Sequence, residues 1–305
     1  MLDIGEAIGA GFRVLRERPV AGLIWAAVYF VATAIIGAIS LPLIRQQMLA
    51  AQSGDFSGAA PFMVEVQALN ILMVLVMLVL WSASYRAVLR PEDDRFGYLR
   101  LGGDELRLFL LSLIFLIVAV AVLFAVSLLF GVLGAGAMLA MGGGRGGGAS
   151  AGGILIAVVL SIALLAAMVF LSVRFALAFP LTFQRRKIVI GAAWRLSRGS
   201  FWAMLVAFLV VAVIYMILAT LVTLITGAGY LSMMASSFSD PAHMGEAARQ
   251  MIDSRLGGLT AMRVLSWVLS TVAGTVWIAM SGCGLADAAR QLTPDSAEEI
   301  AAIWE

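Results

Sequence analysis

In this chain of 305 residues, 62% are hydrophobic and only 12% charged, and the mean hydropathy is +1.03. Soluble domains run near half apolar and a quarter charged, so a soluble globular class is excluded in favour of a membrane one. The net charge is +2, carried almost wholly by arginine, with Lys187 the single lysine; one cysteine (Cys283) and one histidine (His243) exclude an intramolecular disulfide, a multi-cysteine metal site and most His-based catalysis.

The first 19 residues form a charged, amphipathic stretch, too long for the n-region of a signal peptide, and the apolar run after it is too long for an h-region. It reads as an uncleaved first span. A transmembrane helix needs about 20 apolar residues. Six charge-free stretches qualify: Val20–Ile44, Val66–Tyr85, Leu108–Met141, Ile154–Val173 and a little beyond, Phe201–Ile225, and Val264–Ala286. The third is longer than a bilayer requires, which predicts a tilted or protruding helix; a seventh span would need a break near Gly131, Gly134 and Gly136 that leaves both halves too short. The fold class expected is therefore all-α and polytopic, with six transmembrane helices.

Orientation follows the arginines. With the N-terminus inside, cytoplasmic segments hold Arg13, Arg16 and Arg18, then Arg86, Arg90, Arg95, Arg100 and Arg107, then Arg174, Arg185, Arg186, Lys187, Arg195 and Arg198, and lastly Arg290. The outer loops hold only Arg45, Arg145, Arg249, Arg255 and Arg263. This bias predicts both termini in the cytoplasm, and the Arg, Ala and Gly enrichment suggests a bacterial source, hence the inner membrane.

An internal repeat is also legible. Ile8-Gly9-Ala10-Gly11-Phe12-Arg13-Val14-Leu15-Arg16 before span 1 matches Ile190-Gly191-Ala192-Ala193-Trp194-Arg195-Leu196-Ser197-Arg198 before span 5, and Tyr98-Leu99-Arg100-Leu101-Gly102 is a looser version before span 3. The even spans end alike: Arg86 precedes Pro91, Arg174 precedes Pro180, and Arg290 precedes Pro294. The chain reads as a single membrane domain of three tandem parallel units, approximately 1–91, 92–181 and 182–294, each an amphipathic cytoplasmic helix plus two spans, with a tail at 295–305. In the first amphipathic helix Ile4, Ile8, Phe12 and Leu15 recur at helical spacing. That face could lie in the acyl boundary with arginines toward anionic headgroups, or the helix could be an elbow that positions the next span.

Arg174-Phe175-Ala176-Leu177-Ala178-Phe179-Pro180, followed by Gly191 to Trp202, resembles the repeated core of the bacterial membrane domain attached to some glycerophosphoryl diester phosphodiesterases, and of related stand-alone inner-membrane proteins. Trp194, Leu196, Gly199, Phe201 and Trp202 keep that pattern, while Ala193 stands where a Ser is usual. The segment Tyr98 to Arg107 looks like a signature of an alphaproteobacterial branch of such proteins. The resemblance is specific over about 60 residues. It implies a membrane part only, because the phosphodiesterase activity belongs to a separate barrel built on paired histidines and carboxylates, for which this chain has no room.

Individual candidates are few. Gly142 to Gly148 lacks the Lys-Ser/Thr pair of a phosphate loop and reads as a linker. Arg86, Arg174, Arg195 and Arg198, with Trp194 and Trp202, are candidates for headgroup contact or a structural role at the inner interface. Glu65 and Asn70 are weaker polar candidates within the membrane, Asn70 for an interhelical hydrogen bond. Asp240-Pro241 opens a helix in the last outer loop that includes His243, Glu246, Arg249 and Asp253. Trp25, Trp81, Trp194, Trp202, Trp267 and Trp277 include interfacial anchors, and Cys283 in a small-residue run marks tight helix packing. No catalytic, cofactor or metal residues are expected. Membrane lipids and a membrane-protein partner are, and nucleic acid is not. Two functions remain: a non-enzymatic scaffold, accessory or envelope-lipid component, or a transporter or channel for a small or lipid-like substrate along the axis of the three units.

Overall fold

The computed structural model describes residues 2–52, 56–140, 151–226 and 261–293, and every regular element among them is helical. The Gly-rich run at 142–148, the segment around His243 and the tail at 295–305 lie outside the described residues. Six helices are long and apolar enough to cross a membrane. The protein is an all-α polytopic membrane protein.

Helix α1 (Ile4–Glu17) starts where the Asp3 carboxylate accepts the Glu6 N–H at 3.0 Å. It stops at Arg18, whose non-helical backbone (φ −133°, ψ 63°) precedes Pro19. Pro19 opens α2 (Pro19–Gln52) at the position where its missing N–H costs nothing. Helix α3 (Phe56–Leu89) returns, a short turn covers Arg95–Tyr98, and α4 (Gly103–Ala140) leads to α5 (Ala151–Phe175). Helix α4 runs unbroken through Gly131, Gly134 and Gly136. At 38 residues it is about 57 Å long, well beyond a ~30 Å hydrocarbon core. A short α6 (Ala178–Arg185) tolerates Pro180 in its first turn and closes on a left-handed Arg186 (φ 55°). Helix α7 (Ile190–Thr226) carries the segment before span 5 straight into the span, bent only at Ser200 (φ −119°, ψ 15°). The last helix, α8, covers Ala261–Leu292.

The core lies at the end of the bundle where the arginines collect. Three buried clusters form it, and α8 contributes to each. Ile278, Ala279 and Cys283 meet Ala10, Val14, Trp25, Leu80 and Ala83. Ala288 and Ala289 meet Leu111, Val173, Leu177, Leu181, Ala193 and Met204. Ala286 meets Leu78, Tyr85, Leu108 and Phe183. In α8, 39% of the most apolar stretch is buried, against 11% or less in the other five spans. The spans are thus not packed equivalently: α8 touches α1, α2, α3, α6 and α7, whereas α4 reaches the others through α3, α6 and α5. Beyond Phe115, α4 turns large apolar side chains outward around its circumference, among them Leu116, Ile117 and Val118 at successive positions.

Helix α1 packs through a face the sequence analysis did not single out. Its buried face is Ala7, Ala10, Gly11 and Val14, and Phe12 of the larger apolar stripe is half exposed. Small residues win because the partner is another helix, not lipid: a Cβ on Gly11 would lie 2.6 Å from the Met280 Cα, and one on Gly284 would lie 2.9 Å from the Ala7 carbonyl oxygen. Gly11→Val therefore destabilises the bundle by about 1–3 kcal/mol through overpacking, whereas Gly9→Ala, where a Cβ meets nothing within 4 Å, leaves thermal unfolding in detergent unchanged or slightly raised.

Candidate functional site

The most developed polar constellation is built where α3, α4 and the 95–98 turn converge. Arg86, near the end of α3, is 3% exposed, and Glu105, in the first turn of α4, is 8% exposed. They form an ion pair at 2.6 Å. The same Glu105 oxygen accepts the Ser82 hydroxyl at 2.8 Å, and the other oxygen accepts the Gly102 N–H at 2.9 Å. That second bond is half of a capping box, so one side chain both starts α4 and neutralises α3.

The turn supplies the remaining acceptors. Phe96, Gly97 and Tyr98 all take left-handed backbone angles (φ 50°, 64° and 66°). For the two non-glycine residues this is costly, about 1–2 kcal/mol each. The conformation presents two successive carbonyls to two buried donors: Trp25 Nε1–H reaches Gly97 at 2.7 Å, and Arg86 Nη1 reaches Tyr98 at 2.5 Å. Tyr98 donates its hydroxyl to the Pro91 carbonyl, which also accepts from Arg18. Arg90 extends the network to Asp104 at 3.0 Å and to the Phe183 carbonyl, and Asp104 also pairs with Arg107 at 2.9 Å. The Phe183 ring lies against both Arg86 and Arg90. A smaller constellation closes the end of α8. Asp287, 1% exposed, pairs with Arg290 at 2.5 Å and accepts from Gln291, whose side-chain oxygen takes the Asp3 N–H.

Arg174 is held differently, by rings. Its guanidinium carbon lies 5.1 Å from the Trp194 ring centroid, 5.2 Å from Phe170 and 5.5 Å from Phe201. Arg195, Arg198 and Trp202 lie on the exposed side of α7, Trp202 at 74% exposure. The sequence thus named one member of the buried network, Arg86, and of the aromatic enclosure Arg174 and Trp194 but not Phe170. It missed Glu105, Ser82, Asp287 and the acceptor role of residues 97–98. The adjacent carboxylates of Asp104-Glu105, with Glu105 three residues after Gly102, were the available signal.

Two polar candidates stand elsewhere. Glu65 and Asn70 are exposed on the far half of α3, and Asn70 donates to Gln67 of its own helix at 3.0 Å. It makes no interhelical bond among the described residues, because i,i+3 proximity satisfies the amide locally. Trp25 is likewise no interfacial anchor: it is fully buried. Cys283 does occupy a tight packing site, fully buried with its thiol 3.7 Å from the Ser84 carbonyl. Among the described residues, no group of three or more His, Cys, Asp or Glu could hold a metal ion.

Breaking one side of the Arg86–Glu105 pair strands a buried charge. Glu105→Leu or Arg86→Met alone is expected to cost about 3–5 kcal/mol, and the double change Arg86→Met with Glu105→Leu to recover most of that loss. Unfolding in mixed micelles of the two single variants and the double checks this, and simple additivity of the single losses would contradict it.

No protein-family model matches the chain, and comparison with curated proteins and with solved structures finds no match.

Proposed function

We propose that this chain is a non-enzymatic integral protein of the bacterial inner membrane, with both termini in the cytoplasm, that serves as a scaffold or accessory component through lipid and protein contacts. One observation carries the reading. Apart from Glu65, the ionised groups of the described spans gather at one end, where Arg86, Arg90, Arg107 and Arg290 pair with carboxylates, while the remaining lengths offer apolar surface outward. Hydroxyls within the spans support the same view. Thr33, Thr223, Thr271, Thr275 and Ser281 each donate to a carbonyl four residues earlier in their own helix, which spends their one donor locally.

Space at the α8 seam is small as well. A crevice of 40 Å³ lies there between residues such as Ala7, Met204, Phe208 and Ala288, against the ~300 Å³ or more usual for a small-molecule site. A recess of 390 Å³ is formed by one face of α1 alone, with Glu6, Phe12, Arg13 and Arg16, outside the spans. The inward placement of the Arg-rich end rests on the positive-inside bias. The three-unit repeat, and the likeness to the membrane domain found with glycerophosphoryl diester phosphodiesterases, fit a part that assembles beside a catalytic one without sharing its chemistry.

Two assays test this. In spheroplasts, a membrane-impermeant maleimide labels Gly146→Cys but not Glu92→Cys until the cells are lysed; native Cys283 is fully buried and adds no background. Proteoliposomes loaded with small solutes or fluorescent phospholipid show the same flux and scrambling as empty vesicles. Protein-dependent flux would contradict the scaffold reading in favour of transport.

A further inference from the structure

The three arginines at the ends of α3, α5 and α8 are not equally satisfied. Arg86 has Glu105 and Arg290 has Asp287. Arg174 has no carboxylate within ion-pair distance among the described residues. The group that faces it from the next helix is the buried Ser197 hydroxyl, 3.5 Å from Nη1, and its Nε is buried without a hydrogen-bond partner. The enclosure of Phe170, Trp194 and Phe201 stabilises the cation through ring faces. Such contact spends none of the in-plane N–H donors, of which a guanidinium carries five, and only Nη1 is engaged, by Ser197.

Position tells what kind of acceptor is missing. Arg174 stands in the last turn of α5, at the boundary between an apolar span and the Arg-rich end. Trp194, Ser197 and Phe201 form the face of α7 turned toward it. One residue further round the helix, Arg195, Arg198 and Trp202 form an exposed stripe beside the enclosure. Phe170 is 39% exposed and so borders the apolar exterior. An oxyanion that brings its own acyl chains suits every part of this arrangement: fork-shaped N–H donors for two phosphate oxygens, added positive charge beside them, and an apolar rim.

We propose that Arg174, within Phe170, Trp194 and Phe201, is a binding site for a phosphate oxyanion, supplied by the headgroup of an anionic phospholipid. This deepens the lipid-contact part of the proposed function and rests on it. The flux and labelling assays decide that wider reading without reference to Arg174, so the two can fail separately.

The test is native mass spectrometry of the full-length protein with phosphatidylglycerol or phosphatidylcholine added to the detergent, and with inorganic phosphate as the soluble arm. Wild type is expected to retain phosphatidylglycerol over phosphatidylcholine, and Arg174→Gln to bind it about tenfold more weakly, the loss of roughly one charge-assisted hydrogen bond. Arg174→Lys, which keeps charge but not the fork, falls between. Ser197→Asp supplies the carboxylate internally, as Glu105 does for Arg86, and should abolish binding in a chain whose helicity by circular dichroism is unchanged. It also carries the test should Arg174→Gln fail to fold. Displacement of the lipid by millimolar phosphate, with the same dependence on Arg174, supports the oxyanion site and overturns the lipid as its source. Phosphatidylglycerol binding of wild-type strength in folded Arg174→Gln or Ser197→Asp protein overturns the site itself.

Discussion

Helix α8 can be central only because its second half is rich in small residues. Backbone approaches backbone where Gly11 meets Met280 and where Gly284 meets Ala7, and larger side chains on either helix would hold the two apart. In a bilayer, where lipid is as apolar as leucine, such close contact is a principal source of helix association. With α1 drawn onto α8, the segment before the first span becomes part of the core. All three buried clusters then share one helix.

That geometry places charge as well as bulk. Arginines at the ends of spans must be hydrated, paired or turned outward, and the fold uses all three solutions at one end of the molecule. Arg86 is buried and paired, Arg290 lies on the surface above a buried Asp287, and Arg198 faces outward. The Arg86–Glu105 pair also fixes the start of α4, and with Trp25 it holds an unfavourable left-handed turn in place. A buried pair of this sort is weak as a source of stability but strong as a constraint on register. It joins α3 to α4 at the end where α4 makes its buried contacts, Leu108 and Leu111.

The spans were legible in the sequence because hydropathy over 20 residues is a sum, insensitive to any one contact. The continuity of α4 through its glycines was legible for the same reason, and Cys283 was readable as a packing site from its small neighbours. Partner choice was not legible. That Glu105 meets Arg86, 19 residues earlier in the chain, depends on Phe96 and Tyr98 adopting positive φ, which neither residue type announces. The packed face of α1 was not singled out, because Ile4, Ile8, Phe12 and Leu15 are the larger residues, whereas close packing selected Ala7, Ala10 and Gly11. Trp25 looked like an anchor by position alone; its indole N–H had a buried carbonyl to meet.

If α1 belongs to the core, its removal must open that core at Cys283, which shares a cluster with Ala10 and Val14. The decisive measurement is the rate at which Cys283 reacts with a small maleimide in the membrane-embedded protein, with and without residues 1–17. The account predicts a thiol protected in the full chain until the bundle unfolds, and readily labelled in the truncated one. Rapid labelling of the native full chain, or equal protection without α1, would contradict it.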